Sequence, residues 1–120
     1  MKKRKPVKPI VLKNEFRENK DIIPPHTAHV YAEHGNKYFS LAITHAPKTR
    51  RKRNIKMFKE PNPNADKSRD PYFVPTPRAT HKKKMQPLKK DWKLDPRDDE
   101  QMAPYRVYEF DEKGKPKKKK

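Results

Sequence analysis

The stretch Ala28-His-Val-Tyr-Ala-Glu-His-Gly-Asn-Lys-Tyr-Phe-Ser-Leu-Ala-Ile-Thr-His45 decides the fold. It holds two runs rich in β-branched and aromatic side chains, 28–32 and 37–45. Between them Glu33-His34-Gly35-Asn36 supplies the turn chemistry of a β-hairpin. In the second run a two-residue period sends Phe39, Leu41, Ile43 and His45 to one face, and Tyr38, Ser40, Ala42 and Thr44 to the other. The first of these is the expected core side.

A lone hairpin is marginal in water, so other segments must cover it. Asn54–Phe58, Pro71–Val74 and Tyr105–Phe110 have the composition of short strands. The prolines of Glu60-Pro-Asn-Pro-Asn64 and Pro75-Thr-Pro77 lack the N–H of a regular ladder, which makes these stretches turns or extended spacers. Asp95 can cap a short helix that starts at Pro96, carries Asp98, Asp99 and Glu100 near its positive end, and stops at Pro104. Trp92 and Leu94 fall on one side of an extended segment, where the indole makes a lid over the sheet. The expectation is a mainly β protein: a small β-sheet or barrel-like module over 21–112 with one short helix, between a disordered basic arm at 1–20 and a disordered Lys-rich tail at 113–120.

Composition bounds the rest. Leu, Ile, Val and Phe make up nineteen of 120 residues, below the roughly 20% that accompanies a stable core. Fourteen prolines against two glycines exclude long helices and broad central sheets. The absence of cysteine excludes disulfides, thiolate zinc sites, iron–sulfur clusters and a Cys nucleophile. No apolar run approaches the ~20 residues of a membrane span, and the basic start is not followed by a secretory apolar segment. The reading is a soluble, cytoplasmic protein, or a nuclear one if its source is eukaryotic.

Lys and Arg number 33 against 15 Asp and Glu, a net charge of +18. That excess calls for an anionic partner. Its densest point is Lys48-Thr-Arg-Arg-Lys-Arg53, placed between two expected strands, where Lys48, Arg50, Arg51, Lys52 and Arg53 would form a cationic loop. Polyanions relieve such self-repulsion, and phosphate contacts release counterions. Lys56 and the run Lys82, Lys83 and Lys84 extend the candidate phosphate contacts. The bland alternative is a solvated turn or a localisation-like signal. Aromatics on strands beside cations are how sheet surfaces stack splayed bases, which favours RNA over DNA. Tyr38, on the face away from the core, is the preferred stacking residue, with Tyr31 beside it if the register allows.

Four of the five histidines fall between His26 and His45. His26-x-x-His29 lacks a second ligand pair, so no metal site is written here, and nothing requires a cofactor. A second reading is a metal-independent, toxin-like endoribonuclease, with His45, His29 and Glu33 as acid and base and Arg51 stabilising the phosphorane. A third is a protein whose basic arms order on a ribosome, a phage particle or an acidic protein. Gly35 and Gly114 are isolated, so no phosphate-binding loop can be built, and neither Ser40 nor Ser68 sits in a nucleophile elbow.

Ala42-Ile43-Thr44-His45-Ala46, Asn54-Ile55-Lys56 and Pro61-Asn62-Pro63-Asn64, with Tyr72 and Val74 following, resemble a pattern of small basic proteins of bacterial mobile elements. There a strand ending in Thr-His-Ser leads through a basic loop to Asn-Ile-Lys and Asn-Pro-Asn-Pro. Ala46 stands where that pattern has Ser. The resemblance covers about half the chain and implies a prokaryotic, cytoplasmic setting without implying an activity.

Overall fold

The computed structural model describes residues 9–20, 26–49, 52–65, 68–88 and 91–117. Its centre is an antiparallel meander of β1 (Val11–Asn19), β2 (His26–His34) and β3 (Lys37–Thr44). The hairpin expected from 28–45 forms β2 and β3, closed by the two residues Gly35 and Asn36 after the pair His34↔Lys37. Gly35 has φ 61° there, a conformation that costs a residue without Cβ little. β1 pairs with β2 from Val11↔Glu33 to Asn19↔His26. The basic arm is therefore corrected: residues 11–19 are a sheet strand, stabilised by ladder bonds that their charged composition hides.

The outer edge of β3 is shared. After the two-residue strands β4 (Lys48–Thr49), β5 (Lys52–Arg53) and β6 (Ile55–Lys56), β7 (Tyr72–Phe73) pairs with Ile43–Thr44 and with β6. β8 (Arg78–His81) pairs with Lys37–Ser40 of the same edge. A 3₁₀ turn at Lys82–Lys84 then leads to β9 (Met85–Pro87), which pairs with Arg17–Asn19 on β1. Four chain steps separate His81 from Met85, a reach of about 14 Å at most, so the two edges of the meander curl towards each other. The sheet is nonetheless not closed into a barrel. β8 and β9 were not expected, because Arg-Ala-Thr-His and Met-Gln-Pro show no strand pattern of their own.

Both faces of the meander are covered. On the first, Phe39, Leu41, Ile43, Tyr31 and Ala32 pack with Met57, Phe73 and Met102, and Trp92, Leu94, Phe16 and Phe110 lie at the margin. An irregularity in β2 between Val30 and Ala32 lets Tyr31 and Ala32 both serve this side. Burying a side chain such as Leu41 or Phe73 contributes about 1.5–3 kcal/mol. Ala28, Val30, Tyr38 and Met85 form a smaller cluster on the concave face.

The helix α1 (Pro96–Met102) starts as its sequence predicts: Asp95 accepts a hydrogen bond from the Arg97 N–H at 2.9 Å and Pro96 takes the first helical position. Seven residues do not hold a helix in isolation. Met102, fully buried in the core, fastens one end, and Asp98, also fully buried, accepts bonds from the backbone N–H of Phe58 and Lys59.

Two further expectations are corrected. Tyr105–Phe110 is not a strand: it follows a 3₁₀ turn at Ala103–Tyr105 and contributes only the isolated bridge Phe110↔Pro116. Within the tail, Asp111 Oδ1 accepts from the Lys113 and Lys115 N–H, and the Gly114 carbonyl accepts from Ala79 N–H, so 113–117 are fixed against β8. No helix among the described residues is long and apolar enough to cross a membrane.

Candidate nucleic-acid interface

β4 and β5 form a small antiparallel ladder of their own, Lys48↔Arg53 and Thr49↔Lys52, directly beyond the end of β3. Directly opposed residues share a face, so the Lys48 ammonium and the Arg53 guanidinium project side by side. Like charges so placed repel. Among the described residues no carboxylate pairs with Lys48, Lys52 or Arg53, and all three are exposed. Arg50 and Arg51, expected in the same loop, lie outside the described residues.

Asn54 holds this hairpin in place. Its side chain is buried, and Nδ2 donates to the Ala46 carbonyl at 3.0 Å and to Thr49 Oγ1 at 2.7 Å. Its backbone N–H donates to the Pro47 carbonyl at 2.9 Å. Three bonds across the neck fix where the cations point. Asn54 was legible only as part of a motif, since nothing in a single sequence tells a buried neck residue from a turn residue.

Past the neck the strand period continues. Met57 turns inward, while Lys56 and Phe58 face out; Phe58 is 61% exposed and Lys59 follows, also exposed. The Arg97 guanidinium lies 5.1 Å from the centroid of the Phe58 ring. Lys56 reaches Asp70 at 3.5 Å, both side chains largely in solvent, a pairing worth at most about 1 kcal/mol. Phe58 is thus the open ring beside the cationic hairpin, and the alternation around Met57 was the available signal.

The other predicted cations sit elsewhere. Lys82 lies beside Asn36, at the opposite end of β3, about 23 Å along the strand from Thr44. It is tied to Glu33, which also binds Lys13 at 3.2 Å, and these two ammonium groups hold the Glu33 carboxyl below its usual range. Lys83 and Lys84 are exposed on the 3₁₀ turn.

Base stacking by Tyr38 and Tyr31 is corrected. Tyr38 is 9% exposed on the concave face, with the Arg17 guanidinium 4.6 Å and the Lys82 ammonium 5.3 Å from its ring centroid. Tyr31 is 2% exposed, its hydroxyl donating to the Val107 carbonyl at 2.5 Å, and burial raises its pKa. Neither ring offers a face to a base, because a curled sheet with cover on both sides leaves no outward face at these positions.

The three described residues of the ribonuclease reading, His29, Glu33 and His45, are not brought together. His29 lies opposite Leu41 on the core face, whereas Glu33 lies opposite Tyr38 on the concave face, and Arg51 is outside the described residues. His29 is 1% exposed, its Nε2 2.8 Å from Asn14 Oδ1 and its buried Nδ1 without a partner among the described residues. Burial, then the nearby Arg106 charge, pushes its pKa down to about 4, so it is neutral at pH 7. His45 is different: half-buried at the end of β3, its Nε2 contacts Glu60 Oε1, while Glu60 Oε2 accepts from the Asn62 N–H at 3.2 Å. Sequence reasoning did not find Glu60, fifteen residues away.

The fold and this surface define a class, a mainly β protein with a braced cationic hairpin at one end of its sheet. Comparison with known protein families, curated proteins and solved structures finds no match to this chain.

Proposed function

We propose that this protein binds nucleic acid, RNA in preference to DNA, along the ridge that runs from Lys48 through Arg53 and Lys56 to Phe58 and Lys59. One observation carries the reading: Lys48 and Arg53 are opposed across a hairpin that buried Asn54 braces, with no described carboxylate to neutralise them. Such an arrangement raises the energy of the free protein and is relieved by phosphates, whose counterions are released on contact. Phe58 adds a ring on which an unpaired base can stack, a contact worth about 1–3 kcal/mol. The segment 91–112 carries eight acidic residues against three basic ones, so the rest of the chain is more basic than the net charge of +18 implies. Asp98 of that segment holds the Phe58 and Lys59 amides at the end of the ridge.

Fluorescence anisotropy with a labelled 20-nucleotide single-stranded RNA, and with a duplex of the same sequence, tests the assignment. Lys52→Gln and Arg53→Gln lower affinity for unrelated sequences alike, whereas Phe58→Ala weakens single-strand binding about tenfold or more and leaves duplex binding unchanged. Equal affinity of all three variants and the parent protein for both probes would remove the ridge from consideration.

A further inference from the structure

The pair His45–Glu60 stands at the base of the cationic hairpin. His45 is followed by Ala46, whose carbonyl accepts from the Asn54 amide, so the bonds that brace the hairpin also fix the chain next to this histidine. Thr44 Oγ1 accepts the Ala46 N–H at 3.1 Å and turns the chain out of the strand. Glu60 is held in turn by the Asn62 N–H. A carboxylate that is itself positioned by a backbone bond, and that contacts one nitrogen of a half-buried imidazole, selects the tautomer in which the second nitrogen is free to take a proton.

The exposed cations of the hairpin begin at Lys48, three residues from His45. Imidazole, orienting carboxylate and adjacent phosphate-binding charges are parts that transesterification of RNA uses, and none of them needs a metal ion.

We propose that His45 is the general base of a metal-independent endoribonuclease site, with Glu60 as its positioning residue and the adjacent hairpin cations Lys48 and Arg53 holding the phosphate. The inference rests on the nucleic-acid reading above and adds chemistry to it. His45 Nδ1 takes the proton of a ribose 2′-hydroxyl, the 2′-oxygen forms a bond to phosphorus, and the bond from phosphorus to the 5′-oxygen breaks. The 5′-oxygen takes a proton from water, and the proton held by His45 returns to the resulting hydroxide. The products are a 2′,3′-cyclic phosphate and a 5′-hydroxyl, with no oxidant, reductant or co-reactant consumed.

The test incubates the full chain with an end-labelled mixed-sequence RNA and the DNA of identical sequence, both with EDTA, and measures binding of each probe in parallel. The expected result is cleavage of RNA alone, leaving cyclic phosphate ends. His45→Gln lowers the single-turnover rate at least 100-fold, the scale of general-base catalysis, and still binds the DNA probe like the parent. Glu60→Gln lowers the rate about tenfold at unchanged DNA affinity, a split that mere loosening of the turn would not give. RNA that is bound but intact at stoichiometric protein overturns the catalytic inference and leaves the binding proposal standing, whereas failure to bind either probe overturns both. Equal cleavage by His45→Gln, with its fold verified by circular dichroism, also overturns it. Should that variant not fold, the end chemistry and the Glu60→Gln rate decide.

Discussion

Acidification acts on this fold through His29. A proton added to the buried ring would sit on Nδ1, which has no acceptor among the described residues, and beside the Arg106 charge. The folded pKa is about 4 and the ordinary value 6.5, so between these limits the unfolded chain binds more protons than the folded one. The stability from keeping His29 neutral is fully present above about pH 6.5 and is lost as pH falls towards 4. Between pH 7.5 and 4.5 the loss is about 2.5 kcal/mol, a substantial part of the roughly 5–15 kcal/mol that folded domains possess. Urea unfolding followed by Trp92 fluorescence at the two pH values measures it as a midpoint shift of roughly 1–2 M. His29→Leu removes the titration at similar volume, and Asn14, being exposed, can turn its carbonyl to water. Glu33, Asp95 and Asp111, whose pKa values are also lowered, titrate in both proteins and cancel in the comparison. The variant loses about 2.5 kcal/mol less than the parent over this interval. Equal losses in the two proteins would refute the burial argument for His29.

Asn54→Ala removes two side-chain bonds and no charge; affinity for single-stranded RNA falls about fivefold, roughly 1 kcal/mol, measured by anisotropy, with little change in melting temperature because the hairpin lies outside the core. Gly114→Ala and Gly35→Ala separate conformational strain from collision. Both residues have positive φ, but a Cβ at Gly114 would collide with the Ala79 carbonyl oxygen, whereas nothing stands within 4 Å of one at Gly35. Thermal unfolding shows Gly35→Ala losing about 1 kcal/mol and Gly114→Ala at least 2–3.

The central hairpin was legible because β3 keeps a two-residue period and both runs are rich in β-branched and aromatic side chains, and the helix because Asp95 and Pro96 carry their signal locally. β1 was not. Val11–Asn19 is apolar only at Val11, Leu12 and Phe16, its register shifts between Leu12 and Glu15, and one of its two partners, β9, lies far along the chain. The apolar count also understated the core, which recruits Met57, Met85 and Met102 together with Tyr31 and Tyr38. Lys48, Lys52 and Arg53 read correctly as one exposed cluster, since charge density needs no tertiary information. Tyr38 was misread because a period assigns a face without saying whether that face is covered. The His45–Glu60 contact depends on two chain segments brought together by β7, which no local pattern encodes.

Salt dependence of single-stranded RNA binding is the most direct measure of the proposed mechanism. If Lys48, Lys52, Arg53, Lys56 and Lys59 each neutralise one phosphate, log K falls linearly with log salt at a slope of about −3.5. That slope drops in magnitude by about 0.7 for each of these cations replaced by Gln. Affinity that does not change with salt, or a slope that ignores Lys52→Gln and Arg53→Gln, would contradict it.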